Sequence, residues 1–467
     1  MEEVGGTWLR PATPMEEMFE SAHQRGTLLI CYHIILNSSA RLLEEHVRSA
    51  LKHLHWKVPN LRVCFGVRDG EMWLRHRSSS DLDFEVMSSS DVQATMELLR
   101  TYKYNSGAGP MWCAKLLHET EHPEGSLDSS SKLPFVSHLF LGFHHGIVDG
   151  ITTMKVCGCF VKLLGDVISG QPISDEEQIG ELVSAEETEK LIRAKKLRIE
   201  TDYELREALI RGARSKCSNP RLLRRIYQAP EGSEDRSAQV IRHLDVATTE
   251  KFVNKCRTEG LTVHSAFTAL ANVALTDLLM KKNVIQSSYT IFSAHTTNLR
   301  RYWPADTSRA LGCHISPTYL YTETPRDAGN RFWEYARTLH QNFKSNLKSG
   351  KALEDIALRQ LTSRPKTEER EEDRVEDREE NTEAKPEYFT SNMGDVTPFV
   401  SGESEDVKVT HITRSISLHK ADLSCSHVFH TFKGRLTHCL DFSTKFLSED
   451  LARDYCDQIF RRLEEVI

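Results

Sequence analysis

In the stretch FLGFHHGIVDGITT, residues 140 to 153, the spacing of apolar side chains changes period. Upstream, Leu139, Leu141 and Phe143 alternate as one face of a strand, whereas Val156, Phe160, Leu163, Leu164 and Val167 recur at helical steps downstream. A strand that feeds a helix through a short polar turn is a unit of α/β architecture, which excludes an all-helical or all-strand fold. The turn carries His144, His145, Asp149 and Gly150.

The same alternation of periods runs through the chain. Leu43, Val47, Leu51 and Leu54 form a helical stripe closed by Pro59, and LRVCFGV and EMWLRHR read as a hairpin across Asp69-Gly70. MWCAKLLH is a short strand, and GSLDSSSK, residues 125 to 132, a loop of small polar residues. Residues 174 to 235, rich in Glu, Lys and Arg with sparse leucines, read as a solvent-exposed helical crossover between two α/β halves. The second half holds SAQVIRHLDV as a strand and LTVHSAFTALANVALTDLLM as an apolar helix. It ends in a helix with Ser448 at its N-cap and Leu451, Tyr455, Ile459 and Leu463 facing inward. The expected division is residues 1–173, the crossover 174–235, and 236–467 with an acidic disordered insertion at 364–387.

Composition matters in three places. The net charge of −7 is accounted for by residues 368–383, where ten carboxylates stand against three arginines, so no basic patch supports nucleic-acid binding. The eleven cysteines show neither CxxC pairs nor disulfide-like spacing and read as reduced, mostly buried thiols. No run of 18 apolar residues and no apolar leader is present, which points to a cytoplasmic protein without a transmembrane segment.

The paired histidines admit two readings. A neutral imidazole can take a proton from a hydroxyl, amine or thiol as it attacks an electrophile, or the pair can simply satisfy buried hydrogen bonds. Successive strand residues face opposite sides, so His144 and His145 cannot share a pocket while the strand continues. Gly146 and Gly150 would let the backbone turn sharply, and Asp149 could bond locally or pair with a distant cation.

HHGIVDG resembles the HHxxxDG signature of the chloramphenicol acetyltransferase-like superfamily, which includes condensation domains, alcohol acetyltransferases and plant acyl-CoA-dependent acyltransferases. The likeness extends along the chain. RPATPMEEMFESAH resembles the family's opening segment, and ALKHLHWKVPNLRVCF its helix-strand unit, with Val58 where histidine is common. GPMWCAKLL, GLTVHSAFTALANVAL, TNLRRYWPADTSRALGCHIS and SNMGDV follow in the expected order, and the alcohol acetyltransferase-like branch is the most similar.

The resemblance implies two subdomains in a V with a central channel, and acyl transfer from a coenzyme A thioester co-substrate to a hydroxyl or amine acceptor. No permanently bound cofactor is implied. His145 would be the general base, with His144 and Gly150 supporting the motif. Asp149 would form a structural salt bridge with Arg300, or with its neighbour Arg301. Ser391 and Asn392 fall where the family lines its channel and could meet a developing oxyanion. The partners expected are a small-molecule acceptor and acyl-CoA, for a chain that can act as a monomer. Two alternatives stay open: a thioester donor held on a carrier protein, set back because no carrier or adenylation domain accompanies the chain, and a catalytically silent binding or scaffolding member.

Other features carry less. Cys157-Gly158-Cys159 reads as core thiols, since no ligand-spaced partners suggest a metal. His264 reads as a cap or packing residue, and Asp441-Phe442 as a strand end that lacks the rest of the plant DFGWG motif. No phosphate-binding glycine loop and no PLP or flavin signature is present.

Overall fold

The computed structural model describes residues 6–88, 91–118, 133–217, 221–362, 385–400 and 402–467. Two mixed sheets organise it. The first orders β14 (Val407–Ile416), β2 (Ile30–Ser38), β7 (Phe135–Phe143), β6 (Trp112–His118) and β5 (Phe84–Val86). The second orders β12 (Ile315–Pro325), β10 (Ser288–Asn298), β13 (Tyr388–Asp395), β15 (Cys425–Phe432), β16 (Arg435–Ser443) and β9 (Ser237–His243). A three-stranded sheet of β1 (Trp8–Pro11), β4 (Glu71–His76) and β3 (Val63–Arg68) flanks the first, and β8 (Glu181–Leu182) pairs with β11 (Ala310–Leu311).

Strand alternation decides which layer each side chain enters. Ile30, Tyr32, Ile34 and Leu36, with Leu139, Leu141 and Phe143, face a core closed by helices Glu44–Lys57 and Gly150–Ile168. Cys31, Cys113 and Phe140 point the other way, against Met96 and Leu99 of helix Val92–Arg100. Each fully buried Leu or Phe contributes roughly 1.5–3 kcal/mol relative to exposure, so a one-residue slip of β7 would be prohibitive. The Asp69-Gly70 hairpin forms as expected, both residues adopting positive φ.

In the second layer, helix Val263–Lys281 lies on the sheet with Ala266, Ala269 and Ala274 buried to permit close approach. It is long and apolar enough to cross a membrane, and 78% of its apolar window is buried inside the protein. Ser448 caps helix Glu449–Val466, accepting from the Leu451 N–H at 3.2 Å, and Leu451, Tyr455, Ile459 and Leu463 are buried. Of the ten cysteines whose side chains are described, nine are buried, and all ten are free thiols.

Three expectations meet details that chain order alone did not show. Strand β14 belongs by sequence to residues 236–467, yet it pairs antiparallel with β2 in the first sheet, Ile412 opposite Ile34. Its backbone finds there the one free edge beside β2, so chain order does not divide the sheets. The crossover is not merely solvated: helix Glu186–Thr201 buries Ile192 and Ile199 against Leu299, Ala352 and Leu353. The loop at 125–132 and most of the acidic insertion lie outside the described residues, whereas its expected end at Glu387 is a buried carboxylate that accepts the N–H groups of Leu222 and Leu223.

Candidate functional site

Strand β7 stops at Phe143 because the next residues cap rather than pair. His144 precedes a 3-10 turn, His145–Ile147, and its Nδ1 accepts the Gly146 N–H at 3.0 Å. Asp149 is the N-cap of the following helix, its Oδ1 accepting the Thr152 N–H at 3.0 Å. The turn, not the pleat, therefore aims the two imidazoles. Gly146 and Gly150 are not needed for positive φ. At Gly146 an added methyl would press on the His144 ring and Phe65 at 3.1 Å, while at Gly150 the nearest atom is 3.8 Å away.

The ring of His145 is held on both sides. Phe19, from helix Pro14–Gln24, stacks on it at 3.9 Å, and Nδ1 lies 3.0 Å from the Val148 carbonyl. A carbonyl oxygen can only accept, so Nδ1 carries the proton and Nε2 the lone pair. His145 borders a cavity of about 990 Å³ lined by both halves of the chain, including Phe19, Thr296, Phe292, Phe389, Ser391 and Arg414. Burial, reinforced by the charge of Arg414, pushes the imidazole pKa down to about 3, so the ring is neutral.

His144 faces away from this cavity. With Nδ1 engaged as acceptor, its Nε2–H donates to Glu20 Oε2 at 2.9 Å. His23 Nε2 accepts the Tyr104 N–H at 3.0 Å, which leaves its proton on Nδ1, 3.7 Å from the same carboxylate oxygen. Burial pushes the Glu20 carboxyl up, but hydrogen bonds from His144, Ser106 and Gln24, with the His23 ring close by, outweigh it and hold the group below the usual carboxylate range. The ligating atoms of Glu20, His23 and His144 lie within 4.8 Å of one another. A cation does not fit there, because the backbone N–H groups force a proton onto each ring nitrogen that faces the carboxylate. The cluster is instead a hydrogen-bonded brace behind the motif.

Asp149 and Arg300 meet across the two halves. Arg300, on the turn Leu299–Tyr302 after β10, donates Nη1 to Asp149 Oδ2 at 2.5 Å, and the His314 N–H adds a bond at 3.0 Å. Arg300 Nη2 also reaches the Gly312 carbonyl at 3.1 Å. Burial pushes the Asp149 carboxyl up, but the Arg300 charge and these bonds outweigh it and keep the group ionised. Neither residue borders the cavity, and Arg301 is exposed.

Ser391 and Asn392 separate on β13. Ser391 borders the cavity and its Oγ accepts from Arg414 Nη1 at 3.2 Å. Asn392 is absent from the cavity lining, and its Oδ1 accepts the Gly394 N–H at 2.8 Å as a turn residue. His264 pairs with His295 at 3.0 Å, also away from the cavity. Asp441 is fully buried on β16, accepting from Ser415 and Gln239. Burial pushes its carboxyl up to about 6. Phe19, Glu20, His23 and Arg414 were not legible as site residues. Phe19, Glu20 and His23 share one helix, but nothing local ties that helix to the motif, and Arg414 arrives on the strand that crosses between halves.

No family model and no curated protein matches the sequence. Solved structures do match in fold over their whole length. The TRI3 trichothecene 15-O-acetyltransferase of Fusarium sporotrichioides aligns with 98% of this chain and 95% of its own, at 13% identity and a TM-score of 0.67. The first condensation domain of the calcium-dependent antibiotic synthetase, solved with a substrate analogue, covers 98% and 97% at 13% identity and 0.67. The starter condensation domain of rhizomide synthetase, solved with C8-CoA, covers 99% and 94% at 14% identity and 0.63.

Proposed function

On this chloramphenicol acetyltransferase-like fold of two subdomains, we propose that the chain is an acyltransferase that moves an acyl group from acyl-CoA to a hydroxyl or amine acceptor, with His145 as general base. The observation that carries the reading is the fixed tautomer of His145, whose Nε2 lone pair is left for the cavity. The acceptor's oxygen or nitrogen attacks the thioester carbonyl while Nε2 takes its proton. Collapse of the tetrahedral species breaks the C–S bond, and the proton passes from Nε2 to the departing thiolate. No covalent enzyme intermediate is needed, since holding both reactants in line supplies much of the acceleration. His144, Glu20 and the Asp149–Arg300 pair position the turn and touch neither reactant.

Two further points support a coenzyme A donor: a neighbour of the same fold is solved with C8-CoA, and the cavity is mostly apolar in its lining. The test is thiol release from a panel of acyl-CoAs with alcohols and amines. His145→Ala should lower the rate by about 10²- to 10⁴-fold with an unchanged melting temperature. Full activity in that variant refutes the assignment. Turnover only with acyl-pantetheine on a carrier protein would favour the condensation-type donor, and no turnover with either, together with capture of a protein partner through residues 364–387, a silent scaffold.

A further inference from the structure

Among the described residues, Arg414 is the one buried arginine or lysine that borders the cavity. Its side chain sits on the crossing strand β14 and is 5% exposed, yet the only hydrogen bond its guanidinium makes there is from Nη1 to Ser391 Oγ at 3.2 Å. Nε is buried with no partner. No carboxylate among the described residues lies within ion-pairing distance of it, in contrast to Arg300, which Asp149 neutralises. Of the acids that border the same cavity, Asp355 pairs with Lys351 at 3.0 Å and Asp422 with Arg224 at 2.8 Å, while Glu189 forms no ion pair with Arg414. Asp441, a buried carboxylate near enough to feel the charge of Arg414, forms no ion pair with it and is taken up by Ser415, Gln239 and the Ile416 N–H.

A buried guanidinium without a counter-ion is costly, and a bound anion removes that cost. Ser391 completes the donor set. Its oxygen already accepts from Arg414, so its own O–H is free to donate into the cavity it borders. A guanidinium beside a hydroxyl suits a carboxylate. Arg414 and His145 border the same cavity, so the anion site and the proton-transfer site share it. Around both, Phe292, Phe389, Ile416 and Leu418 leave room for an apolar body.

We propose that Arg414 and Ser391 form a carboxylate subsite, so that the acceptor is an amphipathic hydroxy or amino acid whose carboxylate lies a few bonds from its nucleophile. The proposal rests on the acyltransferase reading for the word acceptor, but its test does not depend on turnover. Binding of β-hydroxydecanoate and of its neutral isostere β-hydroxydecanamide to the full chain is measured by calorimetry without any acyl donor. The acid should bind about 10- to 100-fold tighter, as one charge-assisted contact allows. Arg414→Met should abolish the preference while leaving the melting temperature equal or higher, because it removes an unpaired buried charge. Ser391→Ala, which keeps the cation, should weaken the acid a few-fold and the amide not at all. Equal binding of acid and amide to the wild-type chain overturns the proposal. So does a preference that survives in Arg414→Met.

Discussion

Asp149 and Arg300 form an ion pair whose side chains are 1% and 3% exposed, and its energetics can be isolated by a double-mutant cycle. Asp149→Asn keeps an oxygen to cap Thr152 but turns an uncharged amide toward a buried guanidinium. Removing one partner of such a pair leaves the other charge uncompensated, at about 3–5 kcal/mol. Arg300→Met should cost a similar amount, softened slightly because Asp149 retains the N–H groups of Thr152 and His314. With both changes no isolated charge remains. The double variant should then be destabilised by no more than either single one, a coupling of about 3 kcal/mol in favour of the pair. Urea unfolding at neutral pH, followed by circular dichroism at constant m-value, supplies all four corners. Single losses below about 1 kcal/mol, or effects that add within about 0.5 kcal/mol, would refute the claim that the halves are pinned by a buried, mutually neutralised pair.

The buried histidines predict acid sensitivity. His145, His264, His314, His411, His427 and His430 have pKa values pushed down to about 3 or 4, chiefly by burial. Unfolding returns them toward about 6.5, so the unfolded chain binds more protons and stability falls as pH drops below that value. Six such groups remove roughly 8 kcal/mol by pH 5.5, comparable to the whole stability of a typical fold. Unfolding should have its midpoint between about pH 5 and 6, and the acid limb of activity should coincide with it; a fold intact at pH 4.5, or an activity limb near 6.5 in folded protein, contradicts the buried neutral state. Gly158 lies in the motif helix where a methyl would stand 1.7 Å from the Phe399 carbonyl oxygen. Gly158→Ala should cost about 1–3 kcal/mol or more by urea unfolding, and an unchanged midpoint would show that the helix and the 397–400 turn can separate freely.

Local pattern alone carried a good deal of this protein. The period change at residues 139–167 reports strand, turn and helix because a side chain's face depends only on its neighbours along one chain. The same holds for the Asp69-Gly70 hairpin and the Ser448 cap, where the deciding contacts are a few residues apart. His145, Asp149 and Arg300 were legible through a motif and the order of the segments around it.

What pattern could not carry is which surfaces meet. The alternation in β14 is that of any strand, and only the open edge beside β2 decides that a late segment completes the first sheet and brings Arg414 to the cavity. Likewise, Phe19 and Glu20 are ordinary helix residues until packing sets one on the ring of His145 and the other on His144. The sequence determined the elements and the residue we propose moves a proton. The tertiary structure decided its tautomer, its depressed basicity and the cation beside it, because each arises from groups far apart in the chain that burial brings together away from water.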